Sequence, residues 1–139
     1  MENNVFKLIR TVELFTNESI IRWNKSFRHN IGISPILVLA ELKQKGPQKQ
    51  STLSKELAYT PGAMTNIANR LIKEGYAKRQ YNEADRRIIL LAITEQGLAI
   101  LDEAQAKGQE VKKDLFDVLS EEEINQFLAI HEKLLRNFD

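Results

Sequence analysis

Thr65, Asn66 and Asn69 in "YTPGAMTNIANRLIKEGY" share with Gly62 and Lys73 one face of a 3.6-residue period, a face that is small, polar and free of acid. An Asn amide can bond adenine in two-point fashion, and a Thr methyl can meet the methyl of thymine. A second cluster follows in "YNEADRRIILLAIT", where Asp85, Arg86 and Arg87 run straight into six apolar residues. Arg is drawn to the narrow, strongly negative minor groove of A-rich DNA. Asp85, two residues before Arg87, can pair with its guanidinium and aim it. Both clusters point to nucleic-acid recognition, although small polar residues on a bundle helix and charge in a turn also occur without any partner.

These side chains need elements to position them. Apolar residues at Val5, Leu8, Ile9, Val12, Phe15, Ile20, Trp23 and Phe27 predict an amphipathic helix running to about His29. "NIGIS" breaks it, and Ser34 with Pro35 reads as an N-cap followed by proline at the first helical position. That second helix should hold Ile36, Leu39, Ala40 and Leu42 and stop at Gly46 and Pro47. A short third helix, capped by Ser51 or Thr52, would bury Leu53, Leu57 and Ala58. The fourth opens on the same cap-then-proline signal, Thr60 and Pro61, turns Met64, Ile67, Leu71 and Ile72 inward and ends with Gly75 at C′. "YAKRQY" alternates like a half-buried strand, "IILLAI" reads as a strand anchored in the core, and "NEADRR" is the turn between them. Beyond Thr94 and Gly97 a long helix carries Leu98, Leu101, Val111 and Leu115 on one stripe. The last helix opens on a Ser120–Glu123 capping box, with Ile124, Phe127, Leu128, Leu134, Leu135 and Phe138 apolar. A hairpin directly after a helix-turn-helix is a winged helix. The predicted class is mainly α with a small β-hairpin.

Charge is unevenly spread along the 139 residues. Lys43 to Thr94 carry ten basic residues against four acidic, a net of +6, whereas residues 95–139 carry five against eleven, a net of −6. A basic centre fits a polyanion partner. Lys43, Lys45, Lys49, Lys55, Lys73, Lys78 and Arg79 are candidates for phosphates, contacts that orient a protein without reading sequence. With no cysteine there is no disulfide framework, thiolate metal site or thiol sensor. The first fifteen residues mix charge into the apolar pattern, unlike a secretory leader, and no apolar run approaches ~18 residues, so a cytoplasmic protein without a membrane span is expected. His29 and His131 are the two histidines, neither set among acids at ligand spacing, so no metal or other cofactor is expected. No Ser-His-Asp set, phosphate-cradling glycine loop or paired-carboxylate pocket is visible either, which argues against an enzyme.

The stretch from Ser51 to Gly97 resembles the MarR family of bacterial transcriptional regulators, most specifically through Asn69-Arg70-Leu71, Glu74-Gly75, the Asp85-x-Arg87 wing signature and the following "LAIT". The resemblance extends through the flanking helices over nearly the whole chain. It implies one MarR-type domain over residues 1–139, with dimerisation helices at 1–32 and 98–139 around a winged helix-turn-helix at 33–97. It further implies a homodimer on a pseudo-palindromic operator in double-stranded DNA, a repressor released by a small molecule. The candidate DNA-contacting residues are then Ser51, Thr60, Pro61, Gly62, Ala63, Thr65, Asn66, Asn69, Arg70, Lys73, Asp85, Arg86 and Arg87. A small aromatic or anionic effector, the kind the family binds between its dimerisation helices and winged helix, would meet Trp23, Phe27 and Met64. Asn66 stands where many relatives carry Arg and Asn69 where Asp is frequent, so base preference does not transfer. The alternative is a winged-helix protein-interaction module without specific DNA binding.

Overall fold

The computed structural model describes residues 2–138; Met1 and Asp139, the outer bounds of the single-domain expectation, lie outside the described residues. Six helices and one hairpin follow in the order α1 (Glu2–Ser26), α2 (Ile33–Lys45), α3 (Gln50–Leu57), α4 (Pro61–Lys73), β1 (Ala77–Tyr81), β2 (Ile89–Ile93), α5 (Glu95–Phe116) and α6 (Glu121–Arg136). The fold is mainly α with a small hairpin, as the periodicities require. The chain forms two compact units, one of residues 27–106 and one of the residues up to 26 together with those from 107 on. The first takes in the predicted winged-helix segment 33–97 and extends beyond it at both ends.

In the winged-helix unit α2, α3 and α4 pack their apolar sides together. Val38, Leu39, Leu42, Leu53, Met64, Ala68 and Leu71 are each at most 1% exposed. The hairpin closes this core. β1 and β2 pair antiparallel with Ala77 opposite Ile93 and Tyr81 opposite Ile89. Gln48 adds a one-residue third strand, exchanging backbone hydrogen bonds with Leu91 at 3.0 and 2.7 Å, a stub too short to leave a sequence pattern.

The seam between α4, the hairpin and α5 explains two motif positions. The Thr94 hydroxyl donates to the Gly75 carbonyl at 2.6 Å and accepts from the Gly97 amide at 3.0 Å, so one side chain ties the end of α4 to the start of α5. A Cβ on Gly97 would collide with the Tyr76 carbonyl and the Ile93 side chain, so only glycine lets the backbones approach this closely.

Several local expectations need correction. α1 ends at Ser26, not near His29, because Phe27 and Ile31 are buried and His29 bonds Glu103 at 2.9 Å, which anchors an irregular connection. α2 is capped by Gly32 with no side-chain bond, so Ser34 and Pro35 sit inside its first turn; proline is tolerated there because the opening amides have no intrahelical acceptor. α3 is likewise capped by Lys49, with Ser51 and Thr52 inside the helix. Ala58 is exposed, not buried, because the chain turns there through the left-handed region at φ 57°. Of the "IILLAI" run only Leu91 and Ala92, neighbours on opposite faces, are buried, while Ile89 on the face of Leu91 is 45% exposed, because it lies at the turn end of the strand, paired with exposed Tyr81. β1 buries Ala77 alone.

In the other unit Phe15, Phe116 and Phe127 follow one another at ring separations of 5.2 and 5.8 Å, and His131 stacks on Phe127 at 4.6 Å. The expected capping box opens α6: Ser120 and Glu123 bond each other's backbone amides at 3.1 and 2.9 Å.

Candidate nucleic-acid interface

α4 is built to hold one face still and leave the other free. At its start the Thr60 hydroxyl accepts from the Ala63 amide at 3.1 Å, and Pro61 occupies the first helical position. At its end Gly75 takes φ 82°, and the amides of Gly75 and Tyr76 bond the carbonyls of Ile72 and Leu71, a Schellman motif. Between these fixed ends Met64, Ala68 and Leu71 are fully buried. That registration turns Gly62, Ala63, Thr65, Asn66, Asn69, Arg70 and Lys73 to the exposed side, with no acid among them. The Thr65 hydroxyl donates to the Pro61 carbonyl at 2.9 Å, so its one donor is spent and its lone pairs remain. Ser51 is also exposed, at the rim of a concavity lined by Gln50, Ser54, Lys55, Tyr59, Pro61 and Thr65.

The wing tip is equally constructed, without glycine. The Asn82 side chain accepts from the backbone amides of Ala84 and Asp85 at 2.8 and 3.3 Å, and the Asn82 backbone amide donates to the Ile88 carbonyl at 3.1 Å. Asp85 then grips Arg87 by both oxygens: Nε donates to Oδ1 at 3.0 Å and Nη2 to Oδ2 at 3.1 Å, while the Arg87 amide adds a bond of 3.0 Å to Oδ1. The side-chain and backbone bonds from Arg87 hold the Asp85 carboxyl below its ordinary range, and the same pairing raises Arg87. The arginine side chain nonetheless stays 90% exposed. It is fixed in direction and open to a partner, which is the geometry expected for an aimed cation. Arg86 is exposed and makes no ion pair among the described residues.

The remaining basic residues divide. Lys45 is held by Glu56 and Glu41, which raise its pKa, Lys43 lies 3.9 Å from Asp102, and Arg70 donates to the Asn30 carbonyl. Lys49, Lys55, Lys73 and Lys78 have no carboxylate partner among the described residues. Arg79 donates from Nη2 to Asn69 Oδ1 at 3.0 Å, a link between β1 and α4 that sequence reading missed. Its one signal was the alternation of "AKRQY", which sets Arg79 on the same strand face as buried Ala77.

Of the three candidate effector residues, Met64 is fully enclosed in the winged-helix core, and Trp23 and Phe27 are 8% and 5% exposed. Among the described residues no group of three or more His, Asp or Glu side chains could hold a metal ion. No helix among them is long and apolar enough to cross a membrane.

Comparison with known proteins agrees with this geometry. The profile of the MarR family matches residues 33–89. The chain is 33% identical over 105 residues to the HTH-type transcriptional repressor MdtR of Bacillus subtilis, a match spanning 74% of this chain and 68% of MdtR. A MarR family protein from Bacillus stearothermophilus superposes with a TM-score of 0.87 at 20% identity, covering 99% of this chain and 97% of the other. A cysteine-to-serine mutant of Escherichia coli MarR, solved in complex with operator DNA, superposes with a TM-score of 0.73 at 24% identity, covering 96% of both chains.

Proposed function

Since the chain belongs to the MarR family of transcriptional regulators, which are not enzymes, we propose that it binds double-stranded DNA sequence-specifically as a homodimer and represses from a pseudo-palindromic operator. The exposed face of α4 enters the major groove, where Thr65, Asn66 and Asn69 meet base edges, and Arg87 enters the adjacent minor groove. Exposed Ser51, Lys49, Lys55, Lys73 and Lys78 meet phosphates. Two copies of α4 then lie about 34 Å apart, one helical turn of DNA. Such a protein works in the cytoplasm beside the genome. Release by a small aromatic or anionic effector completes the reading; it is supported by the family resemblance, with Trp23, Phe27 and Met64 as the residues to vary.

The observation that carries this reading is the clamp between Asp85 and an Arg87 that remains 90% exposed. A structural ion pair gains nothing by holding its arginine in open solvent, because exposed pairs contribute little to stability. Holding it ready for a third group does gain something, since the side chain no longer has to be ordered on binding.

Electrophoretic mobility of the protein's own upstream DNA tests the proposal: a shift at low salt supports it, and no shift across all fragments would leave the protein-interaction module as the better reading. On the operator so found, Arg87→Ala should weaken binding about tenfold, against a weak and sequence-independent effect of Lys49→Ala. The pH dependence has a definite sign. Because the Asp85 pKa is depressed by Arg87, the clamp persists above and through the ordinary carboxylate range and is lost only as pH falls through the lowered value. Wing-dependent affinity, taken as the ratio of wild type to Arg87→Ala, should stay flat from neutrality down to about pH 4. A decline already between pH 7 and 5 would place its origin elsewhere.

A further inference from the structure

We propose that Arg79 fixes the side-chain amide of Asn69 with its oxygen toward β1 and its NH2 leading outward from α4, which makes Asn69 a reader of guanine. The proposal rests on α4 being the major-groove helix.

A guanidinium carries five donors and no acceptor. Whichever way an amide is turned, the atom 3.0 Å from Arg79 Nη2 must therefore be the oxygen, and the NH2 group is left on the other side. Asn69 is exposed on the face that also carries Thr65, Asn66 and Lys73, and its NH2 has no protein partner among the described residues. Arg79 is well placed to keep it so. It shares a strand face with Ala77, which is 3% exposed, so its stem starts from an anchored position beneath α4. No carboxylate among the described residues competes for its guanidinium.

An unrestrained asparagine can rotate its amide and present a donor beside an acceptor, the pattern that matches N7 and N6 of adenine. Arg79 takes one of the two lone pairs of Oδ1 and turns the oxygen toward β1, so Asn69 leads with its NH2. Adenine would offer that NH2 one acceptor, N7, beside the opposing N6 donor, and cytosine only its N4 donor. Guanine offers N7 and O6, two acceptors side by side, while thymine offers only O4. Guanine is thus the base that uses both protons. Asn66, on the same face, has no such tether among the described residues and keeps the two-ended chemistry suited to adenine. Two asparagines three residues apart would read different bases because one of them is held.

Arg79 is here a positioning residue, and base preference separates that role from a phosphate contact or a structural bond. The test is selection of bound sequences from a random DNA pool by the full-length wild type and by Arg79→Ala, Arg79→Lys, Asn69→Ala and the Arg79→Ala/Asn69→Ala double variant. The wild type should show guanine at one symmetry-related pair of positions. Arg79→Ala should shift the guanine-to-adenine ratio there about tenfold toward adenine and leave other positions unchanged. Arg79→Lys, another donor-only side chain, should retain guanine. In the Asn69→Ala background, removing Arg79 should alter no preference. A uniform loss of affinity in Arg79→Ala, with guanine retained and a salt slope reduced by about one, would mean Arg79 touches a phosphate and would overturn the proposal. Failure of the wild type to enrich any sequence would instead overturn the DNA-binding reading, and this proposal with it.

Discussion

α4 and α6 are amphipathic helices with well-made N-caps, yet they end in opposite states. The apolar stripe of α4 vanishes into the chain's own core, with Met64, Ala68 and Leu71 at 0% exposure. The stripe of α6 buries none of its residues: Ile124, Phe127, Leu128, Leu134 and Leu135 are 44–61% exposed. α1 repeats the second pattern through Val5, Leu8, Ile9 and Val12. Identical periodicity therefore has two meanings. In the winged-helix unit it records a core completed within one chain, and in the terminal helices it records apolar area beyond what a lone soluble chain commonly leaves exposed. That surplus supports the proposed homodimer, whose partner would supply the missing side of the stripe.

The sharpest way to break this contrast is to charge the open stripe. Leu128→Glu combined with Leu135→Glu should convert a dimer into a monomer at micromolar concentration in sedimentation equilibrium, because unpaired carboxylates do not tolerate burial in an apolar interface. The winged-helix unit, complete in itself, should keep its hairpin and helices under the same change. An unaltered dimer would mean that α6 is not where copies meet. The closed stripe answers differently. Leu71→Ala should cost about 2–5 kcal/mol by cavity formation, and this loss should not depend on protein concentration in denaturant unfolding. A cost that grew on dilution would tie the α4 core to association and erase the distinction between the two stripes.

The two helices also show which features a bare sequence carries. The Thr60–Pro61 start of α4 and the Ser120–Glu123 start of α6 were legible because each is a bond between residues three apart. The Asp85–Arg87 clamp was legible because it too is local, joining residues two apart. Yet the same cap-then-proline signal at Ser34–Pro35 misled, since proline fits any of the first helical positions and the chain used Gly32 instead. Features that depend on docking were invisible. Nothing in the spacing of Asn69 and Arg79 says that a strand residue will reach a helix residue, nor that Gln48 will pair with Leu91. The "IILLAI" run overstated burial because apolar content does not reveal where along a strand the core ends.

The smallest predicted effect lies at the turn between α3 and α4, the one place among the described residues where a non-glycine side chain takes positive φ. Ala58 stands at φ 57° and ψ 41°, closing α3 while the amide of Tyr59 bonds the Ser54 carbonyl at 2.9 Å. An L-residue in that region costs roughly 1–2 kcal/mol through its Cβ. Glycine removes this strain but gives back roughly 0.5–1 kcal/mol through the greater freedom of its unfolded chain. Ala58→Gly should therefore raise stability by about 0.5–1 kcal/mol, or a few degrees in melting temperature, independently of protein concentration. The turn sets the angle at which α4 leaves α3, so operator affinity should be unchanged if Ala58 already holds the glycine-like conformation in the free protein. Greater stability with weaker binding would show instead that the strain favours the DNA-bound geometry, and that the winged-helix unit is less self-sufficient than its closed core implies.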